Sequence, residues 1–250
     1  MNTRNQLLCA HSTVVFVLFT LGGLLVLAGW VPPPSPALDA EQTAAVFAND
    51  TQLRIGLAII AFVAPLFMGL AMAIAAQLRR IEGPFHVMSG LQLLMAAVGV
   101  LALQFPCLAW LGISYRGGVS PEIMQVFNDV CWFIFLGAVS PAVFQPLAIG
   151  LCILGSESSE EVYPRWLGYG NLWLAFLLVP GVLIPFFVTG PFAWDGLFSF
   201  WLALNVFFLW MILNYVYTVK AIRAQQVGEQ QRGWDRVGVS GTVEHQGARA

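Results

Sequence analysis

Six uninterrupted apolar runs restrict the fold of this chain more than any other feature. They cover residues 12–31, 55–78, 87–113, 130–154, 172–193 and 197–222. A helix needs about 20 apolar residues to cross a hydrocarbon core of roughly 30 Å, and each run has that length. Asp, Glu, Lys and Arg are absent from all six, except for Lys220 in the last turn of the sixth. A bilayer offers no water to backbone amides and carbonyls, so each run must satisfy them internally as a helix. The expected fold is an all-α membrane protein, a bundle of six transmembrane helices.

Composition agrees. Only 10% of the 250 residues are charged and 58% are hydrophobic, whereas soluble domains carry roughly 25% charge. Disordered, collagenous, coiled-coil and secreted disulfide-rich classes are excluded. A net charge of −2 gives no electrostatic reason to expect nucleic acid as a partner. The segments between runs are short, so residues 1–223 read as a single domain. Residues 224–250, rich in Gln and Gly with mixed charges, read as a disordered cytoplasmic tail. The first apolar stretch, 14–30, exceeds the 7–15 residues of a signal-peptide core, so it is expected to stay as a helix.

Basic residues set the expected orientation. With the N-terminus inside, Arg4, Arg79, Arg80, Arg165, Lys220, Arg223, Arg232, Arg236 and Arg249 are cytoplasmic, and only Arg54 and Arg116 lie outside. That asymmetry predicts an N-in/C-in, multi-pass protein. Trp30, Trp110 and Trp194 then fall at the outer interface, and Trp166 and Trp173 at the inner one. The first outer loop opens with Val31-Pro32-Pro33-Pro34-Ser35-Pro36, which cannot continue a helix. Residues 38–50 after it suggest a short helix on the outer surface. Ser120-Pro121-Glu122 is a helix-start signal that would begin the fourth helix early.

Catalytic constellations are not evident. The three histidines are His11, His86 and His245, and none lies deep in a run. That distribution gives no facing haem or metal ligands. No Gly-rich phosphate loop occurs, and no His or Lys sits at depth to activate a serine. The chain is therefore expected not to be an enzyme and to need no metal or cofactor. Cys9, Cys107, Cys131 and Cys152 lack CxxC spacing and read as packing residues. Cys107 and Cys131 both approach the outer side, which leaves a bridge between them open.

Prolines inside the runs are the stronger signal. Pro65-Leu66-Phe67-Met68-Gly69-Leu70 and Pro146-Leu147-Ala148-Ile149-Gly150-Leu151 both read P-L-x-x-G-L. Ser140-Pro141 adds a break upstream in the fourth run, and Pro180, Pro185 and Pro191 interrupt the fifth. Broken helices expose backbone groups that transporters use in their sites; the plain alternative is proline kinks with small residues packed closely. Polar side chains at depth are Gln92, Gln104, Gln145, Asn205 and Asn214, each expected to face the bundle interior. Gln145, Pro146, Ser140 and Pro65 form the candidate substrate-binding set. Asp129 joins it, because a carboxylate among apolar groups can carry a proton or pair with a cation. Its alternative is a solvated interfacial acid paired with Arg116. Arg165 and Trp166 are candidates for a lipid phosphate or another anion, against the alternative of a depth anchor.

Three segments carry a family resemblance. The run from Pro164 to Trp173 reads PRWxGYxNxW, 190–196 reads GPFAWxG, and 77–83 reads QLRRIEG. Together they resemble a family of bacterial six-helix inner-membrane proteins, over most of the chain outside its termini. The resemblance implies the same fold and location and brings no activity with it. Two functions are consistent with the residues. One is a small-molecule transporter or channel-like protein for an apolar or weakly acidic compound, with a cavity between the second, fourth and fifth spans. The other is a non-catalytic membrane subunit or anchor of a larger complex. Expected partners are membrane lipid and a second copy or a partner membrane subunit.

Overall fold

The computed structural model describes residues 3–48, 50–84, 86–115, 118–155 and 162–247, with side chains through Gln231. Helices α1 (Thr3–Leu27), α3 (Thr51–Glu82), α4 (Val87–Tyr115), α5 (Pro121–Leu154) and α6 (Arg165–Phe186) are each long and apolar enough to cross a membrane. Helix α7 is the sixth; it opens as a π-turn over Leu197–Leu202 and continues as Ala203–Gly247. The short α2 spans Ala40–Phe47. No strand occurs among the described residues.

Local chemistry fixes the helix ends. Asp39 Oδ1 accepts from the Gln42 amide at 2.8 Å while Gln42 Oε1 accepts from the Asp39 amide at 3.1 Å, a reciprocal capping box for α2. Asp50 caps α3 through the Leu53 amide at 2.9 Å. Gly83, with φ of 72°, ends α3, and the Glu82 carboxylate turns forward to accept from the Met88 and Ser89 amides at the start of α4. Helix α5 starts at Pro121 after Ser120, whose side chain makes no capping bond.

Helix α7 runs on past the sixth apolar run to Gly247. The stretch 224–231 is Ala, Gln and Glu apart from Val227 and Gly228, good helix formers, and Gln225 donates to Glu229 one turn on at 2.9 Å. In contrast, the fifth span stops short of residue 193: α6 tightens into a 3₁₀ stretch over Val179–Phe186 and ends there. Pro180 and Pro185 remove the amides that α-winding would need. The link to α7 is therefore residues 187–196, closed by the Phe198 amide on the Pro191 carbonyl at 2.9 Å.

The outer surface differs from that of a soluble protein. Phe62 is 85% exposed, while Gln77, Gln92 and Thr218 are fully buried. Most buried polar groups pair inside an apolar core while many large apolar side chains face out, as a lipid solvent permits. The chain is an integral, multi-pass membrane protein.

Each end of the bundle has its own glue. At one, Gln77 of α3 donates to Gln6 of α1 (2.6 Å) and Gln225 of α7 (3.0 Å), and Arg80 donates to Gln77 (2.6 Å). The N-terminus of α1 and the far end of α7 thus share that end. At the other, Trp30, Trp110, Trp132 and Trp194 are all buried against one another. Trp30 and Trp110 lie 4.8 Å apart, Trp110 and Trp132 5.0 Å, and Trp132 stacks on Trp194 at 5.9 Å. Trp30, Trp110 and Trp194, which the sequence puts at one interface, share this end as a buried plug. Two of the indole N–H groups are satisfied inside the protein, Trp110 Nε1 by Asn128 (3.1 Å) and Trp194 Nε1 by the Pro34 carbonyl (2.7 Å), whereas Trp132 Nε1 is buried without a partner. Cys107 and Cys131 sit in this cluster as free thiols.

The two P-L-x-x-G-L copies mark helix crossings. A Cβ on Gly69 would overlap Ser12 Oγ and the Cys9 carbonyl of α1, and one on Gly150 would lie 2.8 Å from the Gly168 carbonyl of α6. Both glycines let a neighbouring backbone come close.

Candidate functional site

A cavity of about 170 Å³ lies between all six spanning helices. Most of its wall comes from α5, through residues such as Phe135, Leu136, Val139 and Pro141, and from α7, through Phe200 and Phe207. Phe16, Phe67, Val100 and Leu178 bring in the other four spans. The walls expected from the second, fourth and fifth spans are present, but α1, α4 and α7 contribute as well. Among the described residues, Thr20 and Gln145 are its only polar side chains, and no charged side chain lines it.

Five of the six spans leave regular α-winding beside this cavity. α1 widens into a π-turn over Gly22–Leu27, which includes the wall residue Leu24. α3 tightens over Ala64–Leu66, just before Phe67. α5 forms a π-turn over Phe133–Gly137, α6 tightens from Val179 just after Leu178, and the π-turn of α7 contains Phe200. Isolated π-turns within helices occur frequently at functional sites.

The break in α5 is the deepest. Pro141 has no amide for the Gly137 carbonyl four residues back. The Val139 amide takes that carbonyl at 2.8 Å, with Ala138 at φ −75° and ψ 57°, an inverse γ-turn. The helix restarts as Ser140–Leu154 with no side-chain cap on its first turn. Pro146 in turn removes the amide that would bond the carbonyl of Ala142, another wall residue. The first-turn amide of Ala142 and the Ala142 carbonyl therefore both lack an α-helical partner within α5.

The proline break in α3 is closed by protein. Pro65 has no amide for the Ala61 carbonyl, and Gln104 of α4 supplies one at 3.0 Å. Gln92 of α4 donates to the Ala71 carbonyl at 2.9 Å and accepts from Gln145 at 3.3 Å. Asn205 donates to the Trp201 carbonyl in the π-turn of α7 at 2.7 Å. Asn171 and Asn214 bond each other reciprocally between α6 and α7 at 3.3 and 3.2 Å, and Trp210 Nε1 donates to Asn171 at 2.8 Å. Gln104, Asn171 and Asn214 are thus structural polar groups.

Of the substrate-binding set, Gln145 lines the cavity, and Pro146 is buried beside it and frees the Ala142 carbonyl. Ser140 and Pro65 are exposed and do not line it, while Asp129 is half-buried and also outside the wall. Arg116, the expected ion-pair partner of Asp129, lies outside the described residues. Arg165 and Trp166 sit at the glutamine-network end, where Trp166 packs edge-on against Tyr217 at 5.1 Å and Lys220 Nζ lies 4.7 Å over the Tyr217 ring. At the same end Tyr163 OH shares a 2.9 Å hydrogen bond with Thr218, and burial pushes its phenol above the usual value. Sequence reasoning did not single out Thr20 or the π-turn of α5. The signal for the π-turn was Gly137 before Ser140-Pro141, and Thr20 carried none of its own. Among the described residues, no three His, Cys, Asp or Glu side chains gather as a metal site. No family model, curated protein or solved structure matches the chain.

Proposed function

We propose that this protein is a small-molecule transporter or channel-like protein for an apolar or weakly acidic compound, with the six-walled cavity as its binding site. The observation that carries the reading is the concentration of winding changes, in five of six spans, at one apolar cavity. Helices broken at a binding site and able to move there are the usual construction of transporters. Arg79, Arg80, Arg165, Lys220 and Arg223 on the side of the glutamine network support an N-in/C-in orientation, which puts α2 and the tryptophan plug on the outer side. A bacterial inner membrane follows from the family resemblance. The reading is non-enzymatic and needs no cofactor.

The test is flux. Proteoliposomes enclosing a pH-sensitive dye should acidify faster on addition of small weak acids than protein-free vesicles. Ala142→Trp, which fills the cavity, should abolish the difference while the variant still unfolds cooperatively on heating. Equal flux through wild type and Ala142→Trp would refute the reading.

A second reading, a membrane subunit or anchor, is favoured by one feature. Trp166, Tyr169, Trp173 and Phe176 follow helical spacing on α6 and are all exposed, an aromatic stripe suited to another membrane helix. A partner chain co-purifying with wild type and lost on Trp173→Ala would support that reading over the first.

A further inference from the structure

Among the described residues, two polar side chains interrupt the apolar wall of the cavity, and one of them, Gln145, is already bonded to Gln92. The other, Thr20, is 4% exposed, and its Oγ1 has no hydrogen-bond partner. Buried hydroxyls are nearly always paired, so an orphan beside a cavity marks a missing partner. The helix Ser140–Leu154 begins on the same wall, fifteen residues long, with its first turn uncapped by any side chain. Of the first-turn residues on the wall, Ala142 offers an amide donor and Pro141 has none. Charge is missing from the wall among the described residues, and a helix dipole alone recovers only part of what dehydrating a carboxylate costs. The volume suits a ligand a little larger than benzene, which fills an apolar cavity of about 150 Å³.

We infer that the cavity binds a neutral, ring-sized apolar molecule with a single hydroxyl-bearing head, a phenol or a protonated monocarboxylic acid, whose head is held by Thr20 and the start of the Ser140–Leu154 helix. The inference rests on the transporter reading and goes further by naming the ligand class. The head's oxygen accepts from the Ala142 amide, and its O–H donates to Thr20 Oγ1. Because Thr20 is unpaired without ligand, its hydroxyl serves binding and not folding.

Ligand-observed ¹⁹F NMR on the full chain in detergent tests this with 4-fluorophenol, fluorobenzene and 4-fluorobenzoic acid. Ala142→Trp serves as the reference for partition into the micelle. The expected result is specific binding of 4-fluorophenol, tighter than fluorobenzene, and binding of 4-fluorobenzoic acid only below its own carboxyl pKa. Thr20→Val should weaken 4-fluorophenol about fivefold, the loss of one hydrogen bond, without weakening fluorobenzene or lowering thermal stability. Thr20→Ser, which keeps the hydroxyl, should keep the preference. Equal binding of the phenol and fluorobenzene, unchanged in Thr20→Val, would overturn the polar head and leave the cavity as a binding site. Binding of the carboxylate above its pKa would overturn the neutral head. If no probe distinguishes wild type from Ala142→Trp, the transporter reading fails too.

Discussion

Replacing Gly69 by alanine tests whether the P-L-x-x-G-L copies are close-packing devices. The added methyl would overlap both Ser12 Oγ and the Cys9 carbonyl. The hydroxyl can swing aside, but only by giving up its bonds to the Cys9 and Leu66 carbonyls at 2.7 and 2.8 Å. The Cys9 carbonyl is helix backbone and cannot rotate, so α1 and α3 must part. Overpacking of this kind costs about 1–3 kcal/mol, and the lost hydroxyl bond about 1 kcal/mol more. The better helix propensity of alanine returns about 1 kcal/mol. The expected net loss is about 2 kcal/mol. Gly150→Ala should cost somewhat less, because part of its clash is with the flexible Leu172 side chain. Gly112→Ala in α4 is the control: nothing lies within 4 Å of its would-be Cβ, so it should be neutral or stabilising. Unfolding in mixed micelles titrated with dodecyl sulfate, followed by tryptophan fluorescence, measures all three. A Gly69→Ala protein as stable as Gly112→Ala would refute the packing account.

Three further outcomes are expected. Asn171→Leu should cost about 2 kcal/mol by leaving Asn214 and Trp210 Nε1 without their partner. In a double-mutant cycle with Asn214→Leu in the same assay, the coupling should approach the upper measured membrane value of about 1.7 kcal/mol; additive losses would deny the reciprocal bond. Gln104→Leu should destabilise by about 1 kcal/mol while Pro65 is present and by less in a Pro65→Ala background, where the chain regains a backbone amide for the Ala61 carbonyl; equal losses in both backgrounds would break the link. The raised phenol of Tyr163 favours its protonated form in the fold, so its contribution is complete below pH 10.0 and is lost as pH rises above that value. Thermal unfolding of wild type should therefore weaken more steeply in alkali than that of Tyr163→Phe, and parallel curves would contradict the assignment.

The spans were legible because lipid imposes one rule on every residue of a run: no charge, about 20 residues, all backbone bonds internal. The start of α5 was legible too, since Pro121 at the first helical position acts locally, although Ser120 makes no capping bond. The end of α6 was not, because 172–193 stays apolar past Phe186 and only Pro180 and Pro185 change the winding. The tryptophan plug was hidden because lipid-facing and core-facing tryptophans look alike in sequence. In the cavity, Gln145 could be picked out by its polarity at depth and Pro146 by its lost amide. Thr20 could not be, since a threonine in an apolar helix ordinarily satisfies its hydroxyl on its own backbone. Nor do Pro65 and Pro141 differ locally: Gln104, distant in sequence, closes the Ala61 carbonyl, while the turn at Ala138 leaves a fresh helix start at the cavity.

Native mass spectrometry of the protein purified from its own host in mild detergent addresses the central claim, a ligand-binding cavity within this chain, most directly. The account predicts the chain alone or as a homo-oligomer, carrying a small bound molecule that Ala142→Trp fails to retain. A stoichiometric partner chain with no small molecule, in wild type and Ala142→Trp alike, would contradict it.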